Sequence, residues 1–194
     1  MKPKKEKKKW GTIIFMVFII IGLTSSFVFF GFSDGGGSQN ARYNGFTFTN
    51  NGNVWITNIN GIPAAFNFLP EDVEGIFAFE DFSNRLRNKF EIDVTYDSNS
   101  THKEAIALAH YQMAMTLGAY NVYLRQGFTA NNSFNLPVIT CEDATQNVPV
   151  VYFKTGNISR IYAENDCIIA EASDNADFIK IKDRLLYTIL GVMG

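Results

Sequence analysis

The sequence predicts an α+β (or α/β) fold, with one compact mixed-sheet domain and two main helices behind a single N-terminal transmembrane helix. Two observations lead to this prediction. An uncharged apolar run extends from Gly11 to Phe32. The rest of the chain places segments with strand-like alternation before and between two stretches whose apolar residues have helical spacing.

The apolar run GTIIFMVFIIIGLTSSFVFFGF, residues 11–32, has the length of a membrane span. As a helix it would extend about 33 Å, close to the thickness of a hydrocarbon core of about 30 Å. Six lysines precede it within residues 1–10, and positive residues beside the first apolar segment remain in the cytoplasm. We therefore predict a signal anchor in the cell membrane, with a basic cytoplasmic tail at 1–10 and an extracytoplasmic C-terminal domain.

Two alternatives to an uncleaved anchor remain open from the sequence. Small residues at Gly31 and Ser33 are suitably placed for cleavage of a secretory signal, although a cleavable apolar region is usually shorter, at about 7–15 residues. A type IV pilin also begins with a basic leader and an apolar helix, and its leader would be cut before Gly11 or Thr12. Trp10 precedes that position, and the helix lacks the glutamate found in many pilins.

The charge is divided sharply along the chain. Residues 1–10 carry a net charge of +5, whereas the remaining residues carry −7. A nucleic-acid-binding domain usually concentrates positive charge on its folded surface. The acidic domain therefore predicts no nucleic acid partner, and the expected partners are the lipid bilayer and a membrane or envelope protein.

After the anchor, a flexible linker rich in glycine and serine is predicted for residues 33–42, followed by the domain at 43–194. Phe46 and Phe48 alternate with threonines before an Asn- and Gly-rich turn, which indicates a hairpin. The elements predicted in order are a hairpin within 45–61, a short strand at 64–68, a helical turn from Pro70, a strand at 89–96, a first long helix, apolar runs at 136–141 and 148–153, two strands within 158–172 around 164–166, and a final helix.

The two long helices have recognisable ends. Thr101 and Glu104 have the spacing of a capping box, and the first helix is predicted to reach about Leu124, with Gly127 as its stop. This helix is apolar on nearly every side, which favours burial between other elements. Its methionines are typical of core packing, with a binding groove as the alternative. The second helix begins after Asp174 or Ser173 as its cap.

The two cysteines predict one structural disulfide. Cys141 follows an apolar run and Cys167 precedes another, which places both at strand ends. Two cysteines in an extracytoplasmic domain favour a bridge between them, and the spacing is not the C-x-x-C of a redox-active pair. On the chain-entropy model, closing this loop restrains the unfolded chain by about 3.5 kcal/mol.

No catalytic residue, cofactor site or metal site is predicted. His102 and His110 are about 12 Å apart along one helix, too far to bind a single metal ion, and are expected as a surface and a partly packed residue. The acidic clusters are interpreted as solvated faces. A calcium loop beginning at Asp97 would need glycine and glutamate where His102 and Leu108 stand.

Three N-glycosylation sequons fall in predicted turns, with acceptors at Asn99, Asn131 and Asn157. The Lys-rich leader, the anchor, the paired cysteines and the tail Asp183-Arg184-Leu185-Leu186-Tyr187 together make the chain resemble small, signal-anchored extracytoplasmic proteins of unassigned role found in archaeal genomes. This resemblance implies no functional residues.

Three functions are compatible with this sequence. The first is a non-enzymatic, membrane-anchored interaction or structural module, such as an accessory subunit of an envelope complex. The second is a cell-surface enzyme whose site is assembled by the fold, and the third is a pilin-like filament subunit.

Overall fold

The computed structural model describes residues 39–194. The predicted tail at 1–10, the anchor at 11–32 with its alternative cleavage positions, and most of the linker lie outside this range. None of the helices within residues 39–194 has the length and apolarity that a membrane crossing requires. Residues Asn40–Gly194 form one compact unit. Its first strand begins at Asn40, so the linker predicted for 33–42 ends earlier, because Asn40–Tyr43 pairs with the next strand.

The domain contains ten strands, two long helices and two short helices within the described residues, which confirms an α+β fold. The strands are β1 (Asn40–Tyr43), β2 (Phe46–Asn50), β3 (Trp55–Ile59), β4 (Ile62–Phe66), β5 (Phe77–Ala78), β6 (Glu91–Tyr96), β7 (Tyr123–Phe128), β8 (Val150–Thr155), β9 (Arg160–Glu164) and β10 (Cys167–Ala172). The helices are α1 (Pro70–Val73), α2 (Phe82–Leu86), α3 (Lys103–Ala119) and α4 (Asn175–Ile189).

The first four strands form an antiparallel meander, a sheet separate from the single mixed sheet predicted. The turns Asn44-Gly45 and Asn60-Gly61 both place two consecutive residues at positive φ. That conformation matches two-residue hairpin turns whose twist follows the twist of the strands. The hairpin predicted within 45–61 is confirmed by the pairing of β2 with β3.

The other six strands form a mixed sheet in the order β5-β9-β10-β8-β6-β7. Strands β6, β7, β8 and β10 are mutually parallel, and β9 runs antiparallel to β10. The predicted reversal around Glu164-Asn165-Asp166 is confirmed, with Asn165 at a φ of 54°. The two strands predicted within 158–172 are therefore β9 and β10.

Helix α4 is the centre of the core. The Asp174 carboxylate accepts a hydrogen bond from the Asp177 N–H at 2.9 Å, which confirms the predicted cap. On one side, Phe178 packs near Phe153 of β8, with ring centroids 6.4 Å apart. On the other side, Tyr187 stacks on Phe66 of the meander at 4.0 Å. Helix α4 is thus covered on both sides, by the meander and by the six-stranded sheet.

Helix α3 differs from its prediction at both ends. It begins at Lys103 after His102, with no side-chain capping bond, so the Thr101–Glu104 capping box is not formed. It ends at Ala119, because Asn121 adopts a φ of 59° that a helix cannot continue. The residues predicted as the last turn and stop, 123–128, instead form β7 and pair in parallel with β6.

The apolar run at 136–141 is the other main difference. It forms a single parallel bridge, between Val138 and Phe128, and then a 3₁₀ turn at Cys141–Asp143. Ile139 lies against Val150 and Ile169 in a small second core, on the face of the sheet opposite the helices. The loop between β7 and β8 therefore covers that face in place of a strand.

A buried charged pair joins α4 to the segment after β4. The Asp183 carboxylate accepts hydrogen bonds from the backbone N–H groups of Asn67 and Phe68, at 2.8 and 2.9 Å. Lys182 donates to Asp183 and to the side-chain oxygen of Asn67. Burial raises the pKa of Asp183 and lowers that of Lys182, and the attraction between the two groups opposes both shifts.

Candidate interaction surface

Helix α3 exposes an apolar face that the sequence assigned to the core. We call this face the α3 stripe; it consists of Ala107, Leu108, Tyr111, Met115, Gly118 and Ala119, all exposed. The large side chains have exposed fractions of 48% for Leu108, 60% for Tyr111 and 63% for Met115. Their spacing of three and four residues places them in one row along the helix. The opposite face is fully buried and supplies Ile106, Ala109, Met113 and Leu117 to the core.

Strand β7, on which α3 packs, is an edge of the six-stranded sheet. The Tyr123 N–H donates to the Phe90 carbonyl on the β6 side, at 2.8 Å. Alternate residues of a strand direct their backbone groups to opposite sides, so those of Leu124 and Gln126 point outward. Within residues 39–194 the N–H and C=O groups of Leu124 and Gln126, four groups in all, have no backbone partner. The outward groups of Phe128 are paired, with Pro137 and Ile139.

Exposed apolar side chains are concentrated at this end of the sheet. Of the ten large hydrophobic side chains exposed in the described part of the chain, eight lie on α3, on β7, or in segments beside β7. Phe134 packs on Phe128 with ring centroids 5.8 Å apart, and Val138 pairs with Phe128. The other two, Phe77 and Ile158, lie elsewhere in the domain. A cluster of this kind is typical of an interaction surface.

The α3 stripe is also electrically neutral, unlike the rest of the domain. Residues 39–194 contain eleven basic and seventeen acidic residues, a net charge of −6. On α3 the only charges are those of Lys103 and Glu104, in the first turn, and they cancel. Depletion of charge together with exposed Tyr and Met is characteristic of the central part of protein interfaces.

Comparison of the chain with known protein families, with curated proteins and with solved structures finds no match.

The two histidines predicted on one helix are placed apart and have different surroundings. His110 is completely buried, with its ring 5.3 Å from Tyr96 and 4.7 Å from Phe153, and neither ring nitrogen has a hydrogen-bond partner in the described part. Burial lowers the pKa of His110 to about 3. The sequence led us to expect a partly packed His110, whereas the side chain is completely buried. His102, just before α3, has its Nδ1 2.7 Å from the side-chain oxygen of Asn175.

Cavities of about 600, 580 and 400 Å³ open on the surface of residues 39–194, and neither histidine lines these three. In the first cavity, two cationic side chains also contact backbone carbonyls. Arg85 donates to the Asn165 carbonyl at 2.9 Å, and Lys89 donates to the Gln146 carbonyl at 2.7 Å.

The described residues contain no group of three His, Cys, Asp or Glu side chains arranged to bind a metal ion. The segment from Asp97, considered above as a calcium loop, forms a tight turn before α3. The Asp97 carboxylate accepts a hydrogen bond from the Asn99 N–H at 2.9 Å, and its carbonyl accepts one from the Ser100 N–H. The carboxylate is therefore engaged in an Asx turn.

The predicted disulfide between Cys141 and Cys167 is confirmed, with the two Cα atoms 5.0 Å apart. Cys167 is fully buried at the start of β10, and Cys141 begins the 3₁₀ turn. The bridge attaches the loop between β7 and β8 to the six-stranded sheet, beside the small second core of Ile139, Val150 and Ile169.

Reduction of this disulfide is expected to lower the free energy of unfolding by about 3.5 kcal/mol, because the unfolded chain regains the freedom of the closed loop. The Cys141→Ser/Cys167→Ser double variant should show a similar loss in chemical unfolding, and reductant should not destabilise it further. In native material, thiol alkylation followed by mass spectrometry should find no free thiol in this pair. Two alkylated cysteines in the native protein would contradict the assignment.

The three sequon asparagines, Asn99, Asn131 and Asn157, are all exposed in loops, and none lies on α3. Their modification stays a prediction.

The α3 stripe is the candidate interaction surface that sequence reasoning placed in the core. Helix α3 has no polar face, and an all-apolar helix is usually buried all round. The sequence carries no signal that distinguishes the exposed side, since Ala107, Gly118 and Ala119 are residue types that are also common in cores.

Proposed function

We propose that this chain is a membrane-anchored extracytoplasmic interaction module, an accessory subunit of an envelope complex, which docks through the α3 stripe. The supporting observation is the row formed by Leu108, Tyr111 and Met115, exposed on a helix whose other side is core. Covering a half-exposed side chain of this size removes enough apolar area from water to stabilise a complex by about 1 kcal/mol.

The module would operate outside the cytoplasm, close to the membrane. The apolar run at 11–32, with lysines before it, would hold the domain at the outer face of the cell membrane. A disulfide is consistent with an oxidising compartment. The net charge of −6 on residues 39–194 disfavours direct adsorption to anionic lipids, so a protein partner is the better fit.

Capture of the full chain from membranes in mild detergent tests this function. The wild-type chain should retain a protein partner in stoichiometric amount, and a differently tagged copy of the chain counts as such a partner. Met115→Glu should lose it, because a carboxylate in a covered apolar row leaves a charge without solvent or counterion. Phe77→Glu is the matched control, since Phe77 and Met115 are both 63% exposed.

Wild-type chain recovered without any stoichiometric protein would contradict the proposal, as would equal loss of the partner in the two variants. The topology is tested separately. In intact cells or spheroplasts, externally added protease should reach the C-terminal domain but not the lysine-rich tail.

A further inference from the structure

We propose that the exposed side of the four-stranded meander lies against the lipid headgroups of the membrane. The inference rests on the proposed function, because it takes the apolar run at 11–32 to be the anchor. It concerns a surface that shares no residue with the α3 stripe. Two independent observations support it, the distribution of charge over the domain and the length of chain before Asn40.

The meander has one buried side and one exposed side, since alternate side chains of a strand point in opposite directions. The buried side contributes Phe48, Ile59 and Phe66 to the core. The strand register places Arg42 opposite Thr47 and Asn58 opposite Pro63, so the exposed side chains form one continuous surface. We call this surface the outer face; it consists of Arg42, Thr47, Thr49, Asn58, Pro63 and Ala65, all exposed.

The meander is free of acidic residues in a domain that is otherwise acidic. Residues 43–70 contain no charged residue, and all seventeen acidic residues within 39–194 follow Pro70. The only charge of the meander is the cation Arg42, whereas residues 71–194 hold ten basic and seventeen acidic residues, a net charge of −7. The charge that disfavours adsorption of the whole domain to anionic lipids therefore lies outside the outer face.

One acidic side chain contacts the meander from its buried side. The Tyr43 hydroxyl donates to the Glu74 carboxylate at 3.2 Å. Tyr43 is at the end of β1 away from Asn40, and it points to the side opposite Arg42. This carboxylate therefore does not add negative charge to the outer face.

The layered fold places the acids of the inner elements at a distance from the outer face. The potential of an anionic membrane decays over a Debye length of about 8 Å at physiological ionic strength. Packed layers are about 10 Å apart. With the outer face on the headgroups, the acids of α4 and of the six-stranded sheet lie beyond this distance. An orientation that turns the six-stranded sheet towards the membrane would bring its acids into the repulsive potential.

The chain before Asn40 restricts which side of the domain can reach the membrane. Seven residues, 33–39, separate the predicted anchor from Asn40. The distance from Phe32 to Asn40 is therefore at most about 27 Å, whereas a domain of this length is about 40 Å across. Asn40 begins the edge strand of the meander, and its side-chain oxygen accepts a hydrogen bond from Thr49 at 3.0 Å. The meander is thus the part that the anchor holds closest to the headgroups.

The chemistry of the outer face suits headgroups better than a protein partner. Thr47, Thr49 and Asn58 offer hydroxyl and amide groups to the phosphate and carbonyl oxygens of lipids, and Arg42 supplies the cation that phosphates bind most strongly. The centres of protein interfaces are instead enriched in aromatic residues and Met, and the outer face has neither. The face therefore rests on the membrane surface without inserting into it.

Fluorescence quenching of the full chain in vesicles tests this orientation. Thr47→Cys places a thiol on the outer face, while the native cysteines are held in their disulfide. A fluorophore attached to it should be quenched by lipid that carries a spin label on its headgroup. Asn147→Cys is the control, because Asn147 is also exposed but lies in the loop that covers the face of the six-stranded sheet opposite the helices. Quenching should be at least twofold stronger at position 47.

A charge reversal tests the contribution of Arg42. In vesicles of phosphatidylcholine and phosphatidylglycerol, Arg42→Glu should reduce the quenching at position 47 at least twofold, because it places an acid against an anionic surface. In pure phosphatidylcholine it should have little effect. Lys154→Glu makes the same change of charge on β8 and should leave the quenching unchanged in both. Circular dichroism and an intact disulfide would establish that each variant is folded.

Equal quenching at the two labelled positions, or stronger quenching at position 147, would overturn this orientation. An effect of Lys154→Glu as large as that of Arg42→Glu would also contradict it. If the chain does not float with the vesicles, the anchored module of the proposed function is wrong as well. If it floats and Met115→Glu abolishes capture of a partner, but the two labels are quenched equally, the proposed function survives and only the orientation is wrong.

Discussion

Asp183→Ala is expected to lower the free energy of unfolding by about 3–5 kcal/mol, because it leaves the Lys182 ammonium buried without its counterion. Both side chains are almost fully buried, at 1% exposure for Lys182 and 0% for Asp183. The substitution also removes the acceptor of the Asn67 and Phe68 N–H groups. Chemical unfolding at neutral pH, followed by near-ultraviolet circular dichroism, measures the loss.

Two variants separate the contributions of charge and hydrogen bonding. Asp183→Asn keeps an oxygen for the two backbone N–H groups but replaces the oxygen that accepts from Lys182 with an NH2 group. It therefore loses the ion pair and keeps the backbone bonds, and its loss should be smaller than that of Asp183→Ala. Asp81→Ala is the surface control, since Asp81 pairs with Arg85 at 3.5 Å with 59% of its side chain exposed. Exposed pairs contribute about 0–1 kcal/mol. Similar losses for Asp183→Ala and Asp81→Ala would show that the buried pair does not hold α4 in place.

Because of His110, the free energy of unfolding is expected to fall by up to about 5 kcal/mol as the pH is lowered from about 6.5 to about 3. The folded protein holds this imidazole neutral, because burial lowers its pKa to about 3. The unfolded chain takes up the proton near pH 6.5, so acid favours unfolding across this window. The full contribution is present above the unfolded pKa and is lost as the pH falls towards the folded pKa.

His110→Met should remove this pH dependence and stabilise the protein at neutral pH by about 1–3 kcal/mol, because two ring nitrogens are no longer buried without partners. Met has a similar volume and packs well beside the rings of Tyr96 and Phe153. His102→Met serves as the control and should retain the dependence. Unfolding midpoints measured at several pH values between 4 and 7.5 provide the comparison. An unchanged slope in His110→Met would mean that other groups control acid unfolding.

The elements that the sequence predicted well are those with local signals. Helix α4 has regular apolar spacing and an aspartate at its cap, and the turn between β9 and β10 has an asparagine that tolerates positive φ. Strand β7 was assigned to the end of α3. Only residues 120–122 separate the two elements, and the pairing of β7 with β6 depends on residues about thirty positions earlier in the chain.

The candidate site was harder to predict for a related reason. Helix α3 has apolar residues on every side, and only the finished fold shows which side remains uncovered. The burial of His110, Lys182 and Asp183 is likewise a result of tertiary packing. In sequence, Lys182 and Asp183 look like members of a polar helix face. They are enclosed because the meander covers the side of α4 that faces away from the larger sheet.

The position of β1 has a mechanical consequence. Any pull arriving through the residues before Asn40 acts on β1, whose bonds to β2 would be peeled one pair at a time from Asn40 towards Tyr43. No side chain of β1 is fully buried, whereas β2 is held by Phe48 with 0% exposure. Peeling should therefore stop after the four residues of β1, which release about 14 Å of extended chain at about 3.4 Å per residue. Strand β1 would therefore detach and extend before the force acts on the hydrophobic core.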